Sequence, residues 1–125
     1  MSPGSGIDLA YSKQELEHHG VPVLIKGATV TADGNSGTDP IYVGHFKEGN
    51  FFLDVTAFAP TNIIFTIQTR GPEGKWYTVV TFTTVTGVTN EMKILAANLG
   101  EYIRLSWDHT GTGAVTFTCY GYFKK

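Results

Sequence analysis

The sequence predicts an all-β domain: a single antiparallel β-sandwich of about eight strands, preceded by a short N-terminal arm or helix. Three observations carry that expectation. Thr, Val, Ile and the aromatic residues dominate the chain, and these side chains favour a pleated, half-buried backbone. Apolar residues recur with period two in several segments, which would scatter them around a helix but gathers them on one face of a strand. Turn signals interrupt those segments at the close spacing of sandwiches and barrels. The length, 125 residues, suits one domain that buries roughly two-thirds of its unfolded surface. With 42% hydrophobic, 13% aromatic and 16% charged residues, the composition is that of a packed globular protein.

Taken in chain order, residues 1–20 differ from the rest. After a Gly- and Ser-rich start, Ser12 and Glu15 fit a capping box, Tyr11 and Leu16 occupy staple positions, and Gly20 is placed to stop a helix. So short a helix is marginal alone and needs a surface to dock on, either its own domain or a neighbouring subunit. Its apolar residues Ile7, Leu9, Tyr11 and Leu16 are the candidate anchors of an assembly interface.

Residues 21–125 form the predicted sandwich. The clearest strand has Ile63, Phe65 and Ile67 on one face against Ile64, Thr66, Gln68 and Arg70 on the other. Gly71, Pro72, Glu73 and Gly74 make a turn, and Trp76, Thr78, Val80 and Phe82 begin a new alternation, so 63–82 reads as a hairpin. A second hairpin pairs Ile103, Leu105 and Trp107, across the turn Thr110-Gly111-Thr112-Gly113, with Val115, Phe117 and Cys119. Weaker strands are expected at 21–31, 41–46, 51–58 and 91–96, with loops at 32–39 and 59–62. Jelly-roll and immunoglobulin-like sandwiches share this alternation, so the pattern leaves strand order open.

Charge and cysteine usage narrow the partners. Nine Lys and Arg against eleven Asp and Glu give a net charge of −2, so there is no global positive field to attract nucleic acid or anionic lipid. No window approaches the length of an apolar membrane span. The start has no basic stretch followed by an apolar one, so a soluble protein made in the cytoplasm is expected. The single cysteine, Cys119, precludes an intramolecular disulfide or a Cys-based zinc cluster, leaving stability to core packing.

The polar residues supply no catalytic set by spacing. His18 and His19, with Glu15 or Glu17, carry ligand chemistry, but adjacent helical positions point about 100 degrees apart and no HxxxH spacing occurs. Ser106, Asp108 and His109 lack a nucleophile elbow, and Cys119 alternates in phase with Val115 and Phe117 as a buried apolar side chain. The carboxylates Asp39, Asp54, Glu73, Glu91, Glu101 and Asp108 fall at turns or on polar faces. Gly34-Asn35-Ser36-Gly37 lacks the lysine of a phosphate loop. The expectation is a non-enzymatic protein with no metal and no cofactor. Tyr77, Tyr102, Tyr120 and Tyr122 fall opposite the more apolar stripes and form a candidate exposed aromatic face, suited to interface anchoring or to stacking on sugars.

A resemblance enters over residues 50–123. Phe52-Leu53-Asp54-Val55-Thr56-Ala57, Phe65-Thr66-Ile67-Gln68, Gly74-Lys75-Trp76-Tyr77-Thr78-Val79 and Thr81-Phe82-Thr83 occur in that order. Tyr102-Ile103-Arg104-Leu105-Ser106-Trp107, Thr110-Gly111-Thr112 and Thr116-Phe117 follow. This succession resembles small bacteriophage virion structural proteins of the capsid decoration type. The resemblance implies a place in the virion, a major capsid protein or other virion subunit as partner, and a homo-oligomer, with a trimer favoured. Discoidin-type sugar or lipid binders carry a late strand similar to Tyr102-Ile103-Arg104-Leu105, but they are usually longer and often clasped by a disulfide that this chain cannot form. A carbohydrate-binding sandwich is therefore the alternative expectation.

Overall fold

The structure, a computed structural model, describes residues 21–95 and 99–125. The expected arm at 1–20, with Ile7, Leu9, Tyr11 and Leu16, and the end of the expected strand at Ala96 lie outside the described residues. The described strands are β1 (Val21–Val30), β2 (Gly34–Asn35), β3 (Ile41–Tyr42), β4 (Glu48–Phe58), β5 (Asn62–Arg70), β6 (Trp76–Thr81), β7 (Thr89–Leu95), β8 (Tyr102–Thr110) and β9 (Val115–Lys124).

They form two antiparallel sheets, one in the order β1-β9-β4-β7 and the other β2-β8-β5-β6, with β3 also on β8. The chain is thus the predicted β-sandwich. Because β2 pairs with Trp107 and Ser106 while β3 pairs with Ile103 and Tyr102, the two are pieces of one interrupted strand beside β8. Counted that way the sandwich has eight strands. First and last strands pair, and the third, β4, follows the last, which is the jelly-roll order and settles what alternation alone left open.

The core lies between the sheets. Ile25, Phe51, Leu53, Val55, Val115, Phe117, Cys119 and Phe123 project from one side, and Ile63, Phe65, Ile67, Val80, Ile103, Leu105 and Trp107 from the other. Phe117 bridges them, its ring edge-on to that of Phe65 at 4.7 Å and tilted against that of Trp107 at 5.3 Å. Such aromatic pairs add to the stabilisation from area burial.

Three one-residue irregularities in register re-aim side chains. In β1 the extra residue is Ile25, which turns into the core while Leu24 stays opposite Tyr120 on the outer face. In β4 the shift falls between Val55 and Ala57. In β6, Ile67 faces Val80 but Gln68 faces Thr78, so Val79 is the extra residue. That bulge corrects the single alternation expected for Trp76, Thr78, Val80 and Phe82: Val80 and Phe82 are buried, whereas Trp76 and Thr78 lie on the outer face opposite Arg70 and Gln68.

Two other expectations are corrected in detail. Only Ile41–Tyr42 of 41–46 is strand, because Phe46 N–H donates to the Val43 carbonyl at 2.9 Å and closes a turn. The loop expected at 32–39 contains β2 and is stitched to β8. Ser36 and Leu105 exchange backbone and hydroxyl hydrogen bonds, Trp107 Nε1 donates to the Ala32 carbonyl at 3.0 Å, and the His109 N–H donates to Asp33 at 2.7 Å. Gly34 is required there, since a Cβ would stand 2.8 Å from the Trp107 ring.

Candidate functional surfaces

The outer face of the β1-β9-β4-β7 sheet carries an apolar row. Register places Leu24 opposite Tyr120, Tyr120 opposite Phe52, and Phe52 opposite Met92, so four large side chains cross all four strands side by side. The next row holds Pro22, Tyr122, Asn50 and Ile94. Leu24, Phe52, Met92, Ile94 and Tyr120 are between 42% and 62% exposed. Isolated exposed hydrophobics are ordinary on a soluble protein, but a contiguous band of them marks an interaction surface. Beside the band, Phe52, Asp54, Asn90, Met92, Thr118 and Tyr120 edge an open hollow of about 510 Å³.

The strand at the rim of this face is held by an inward-facing carboxylate. Along β7, Met92 and Ile94 face out while Glu91 and Lys93 stand opposite Leu53 and Phe51, in the inward phase. Glu91 accepts hydrogen bonds from the Thr83 N–H at 2.7 Å and the Thr83 hydroxyl at 2.6 Å, and Lys93 Nζ lies 3.5 Å away. Burial works against the Glu91 charge, but the Thr83 hydroxyl, the Thr83 N–H and then Lys93 outweigh it and hold the carboxyl below its usual pKa. Inward charges on an edge strand also discourage edge-to-edge pairing.

The opposite outer face, on the β2-β8-β5-β6 sheet, is a lattice of arginines and rings. Arg70 stands over the Tyr102 ring at 4.2 Å and Arg104 over the Trp76 ring at 4.5 Å. Arg104 Nε donates to Gln68 Oε1 at 2.7 Å, and Gln68 Nε2 reaches Thr78 Oγ1 at 3.4 Å. Tyr42 packs edge-on against Tyr102 at 5.3 Å and against His45 at 5.4 Å. Partial burial lowers the Arg104 pKa from its very high ordinary value, and the guanidinium stays charged at neutral pH. Among the described residues neither guanidinium is ion-paired to a carboxylate. Glu101 shares an open hollow of about 420 Å³ with Arg70 without pairing to it.

The four tyrosines expected to form one aromatic face divide between these surfaces. Tyr120 and Tyr122 belong to the apolar face, Tyr102 to the arginine face, and Tyr77, opposite Thr69, stands exposed at the sandwich margin beside Gly71. Odd and even positions decide only inward from outward. They cannot say which of two outward faces a strand serves. Leu24, Phe52 and Met92 were missed as site residues, although the Phe52-Leu53 step in the sequence already placed one large apolar side chain on each side of its strand.

Ser106, His109 and Cys119 are engaged structurally. The Ser106 hydroxyl points to the Gly34 carbonyl at 3.5 Å, and His109 Nε2 lies 2.8 Å from the Gly113 carbonyl, so Ser106, Asp108 and His109 form no relay. Cys119 is fully buried, and burial pushes its thiol up to about 12. Among the described residues no group of three or more His, Cys, Asp and Glu stands close enough to hold a metal ion. His18, His19, Glu15 and Glu17 lie outside the described residues. Among the described residues no helix is long and apolar enough to cross a membrane.

No protein-family model matches the chain, and no curated protein matches it either. Among solved structures, the crystal structure of PirA is similar to 94% of this chain over 99% of its own, with 14% sequence identity and a TM-score of 0.40. A likeness of that size carries no argument about what this chain does. The functional reading rests on the two outer faces.

Proposed function

We propose that the chain is a virion structural protein, a capsid decoration protein of the bacteriophage type, which adheres to the shell through the outer face of the β1-β9-β4-β7 sheet. The observation that carries this reading is the exposed row Leu24–Tyr120–Phe52–Met92, continued by Ile94. The resemblance of residues 50–123 to such proteins supports it. Jelly rolls occur in viral capsid proteins and in lectins alike, so the fold itself does not choose between them.

Each of these half-exposed side chains gains about 1 kcal/mol on full burial, so the row supplies on the order of 5 kcal/mol. Lost translational and rotational freedom costs about as much or more. One copy therefore attaches weakly by its row alone, and several linked copies attach well. This arithmetic favours a homo-oligomeric decoration protein over a monomeric one.

Cosedimentation of the protein with shells of the virus that encodes it tests the reading. Phe52→Glu places a charge in the middle of the row and should weaken binding at least about tenfold. Thr81→Glu, at an exposed position of the opposite sheet, should leave it unchanged. Equal binding by all three proteins refutes the assignment.

The alternative is a carbohydrate-binding module, for which Tyr77, Tyr102, Tyr120 and Tyr122 are the expected rings and Trp76 a further one. Trp76 and Tyr102 each have a guanidinium over one face, which narrows the platform that a pyranose stacks on, while Tyr77 and Tyr120 stay exposed on other parts of the surface. A glycan array that lights up at ordinary protein concentration, with loss of signal in Trp76→Ala, would reverse the preference.

A further inference from the structure

We infer that the arginine–aromatic face of the β2-β8-β5-β6 sheet is the docking site for the acidic N-terminal segment, residues 1–20, of a second copy of this chain. The inference extends the assembly reading to contacts between copies, and it concerns the face opposite the shell-binding row.

Charge argues for that occupant. Asp8, Glu15 and Glu17 against Lys13 make the first twenty residues two charges negative, which is the entire net charge of the chain. Residues 21–125 carry eight cations and eight anions and are neutral as a body. Within that neutral body, Arg70 and Arg104 are diagonal neighbours on adjacent strands, Arg104 standing opposite Gln68, and neither has a carboxylate partner among the described residues. A guanidinium over a ring face can still offer in-plane N–H groups, in the fork that matches a carboxylate bidentately. Arg104 spends its Nε on Gln68, and that bond fixes the plane. Across the sheet the register runs Tyr42–Tyr102 and Arg70–Trp76, so apolar ring edges flank the charges. The segment carries the matching mixture, with Ile7, Leu9, Tyr11 and Leu16 interleaved among its carboxylates.

The exit of the segment argues for a neighbour's copy. Val21 is already paired in β1, opposite Phe123, and it precedes Pro22, which holds it extended. The described chain therefore begins extended along the β1 axis, in the sheet that does not carry the arginine face. Twenty residues span up to about 65 Å when extended, enough to reach the face of an adjacent subunit. An arm-to-face contact joins two different surfaces, so it is head-to-tail and closes into a ring when the rotation permits.

Complementary charge reversal tests the inference by sedimentation equilibrium at low salt. The intact chain should self-associate, and the association should weaken as salt is raised. Arg70→Glu with Arg104→Glu should weaken it at least tenfold, and so should Asp8→Lys with Glu15→Lys and Glu17→Lys. The second variant alters nothing in the sandwich, so a folding defect in the first cannot mask the outcome. Mixed together, the two variants should associate again, because one supplies a basic arm and the other an acidic face. A monomeric intact chain overturns the inference, as does association indifferent to both variants. Shell binding through Phe52 is read separately, so either claim can fail alone.

Discussion

Replacing Glu91 with glutamine should loosen β7 and with it the rim of the apolar row. The carboxylate accepts two short hydrogen bonds from Thr83, at 2.7 and 2.6 Å, and these join β7 of one sheet to the segment that follows β6 of the other. Hydrogen bonds to charged groups contribute about 1.5–3 kcal/mol each. Here the glutamate side chain is 24% exposed, so water competes, and the contact with half-exposed Lys93 adds at most a few tenths. Gln keeps one acceptor oxygen for Thr83. The expected net cost of Glu91→Gln at pH 7 is therefore about 1–2 kcal/mol, or a fall in Tm of about 3–8 °C.

The pH dependence discriminates this cause from generic loosening. The folded pKa of Glu91 lies below its unfolded value, so the stabilisation is present above that unfolded value of 4.5 and is lost as pH falls through the lower folded value. Urea unfolding of both proteins at pH 7 and pH 3 should show a smaller gap at pH 3 than at pH 7. A gap of equal size at both values, or none at pH 7, would refute the reasoning.

Other parts of the fold make independent predictions. Phe117→Ala removes the ring that meets Phe65 and Trp107 and should cost about 3–5 kcal/mol in urea unfolding, with loss of the near-ultraviolet Trp107 signal; a cost under about 1 kcal/mol contradicts the packing described. Gly111→Ala should cost about 1–3 kcal/mol, because φ is +99° and a Cβ would meet the Thr61 nitrogen at 2.8 Å; Gly74→Ala, at φ +83° in open space, should cost less. Cys119 has a folded pKa of about 12, above its unfolded value near 9, so wild type should lose stability relative to Cys119→Ala as pH rises from 9 towards 12, by about 1.4 kcal/mol per unit. Parallel unfolding at pH 8 and pH 10 checks it, and an unchanged difference contradicts full burial of the thiol.

The sandwich was readable wherever a strand is long and has one dry face. Ile63, Phe65 and Ile67, and likewise Ile103, Leu105 and Trp107, alternate because each strand divides core from solvent, and all six are buried. The two-residue β2 was not readable, since Gly34 and Asn35 offer no period and owe their pairing to Trp107 and Ser106, far along the chain. The bulge at Val79 was hidden for a related reason. Trp76, Thr78, Val80 and Phe82 look like one face by count, and only the pairing with β5 reveals the extra residue that moves Trp76 outward. Strand order depends on pairings between β1 and β9, nearly a hundred residues apart, which local pattern does not encode. Both candidate surfaces arise in the same way: Leu24, Phe52, Met92 and Tyr120 come from four separate strands, and Arg70, Trp76 and Arg104 from three. Neither is a motif in sequence, so each became visible only when register placed its members side by side.

The most direct measurement is a cryo-electron microscopy map of shells carrying the bound protein, at a resolution that separates the two sheets. The proposed function predicts the β1-β9-β4-β7 sheet against the shell, with Phe52, Met92 and Tyr120 at the contact and the Arg70–Arg104 face turned away from it. A map in which that row faces solvent, or in which the protein is absent from the shell at saturating concentration, contradicts it.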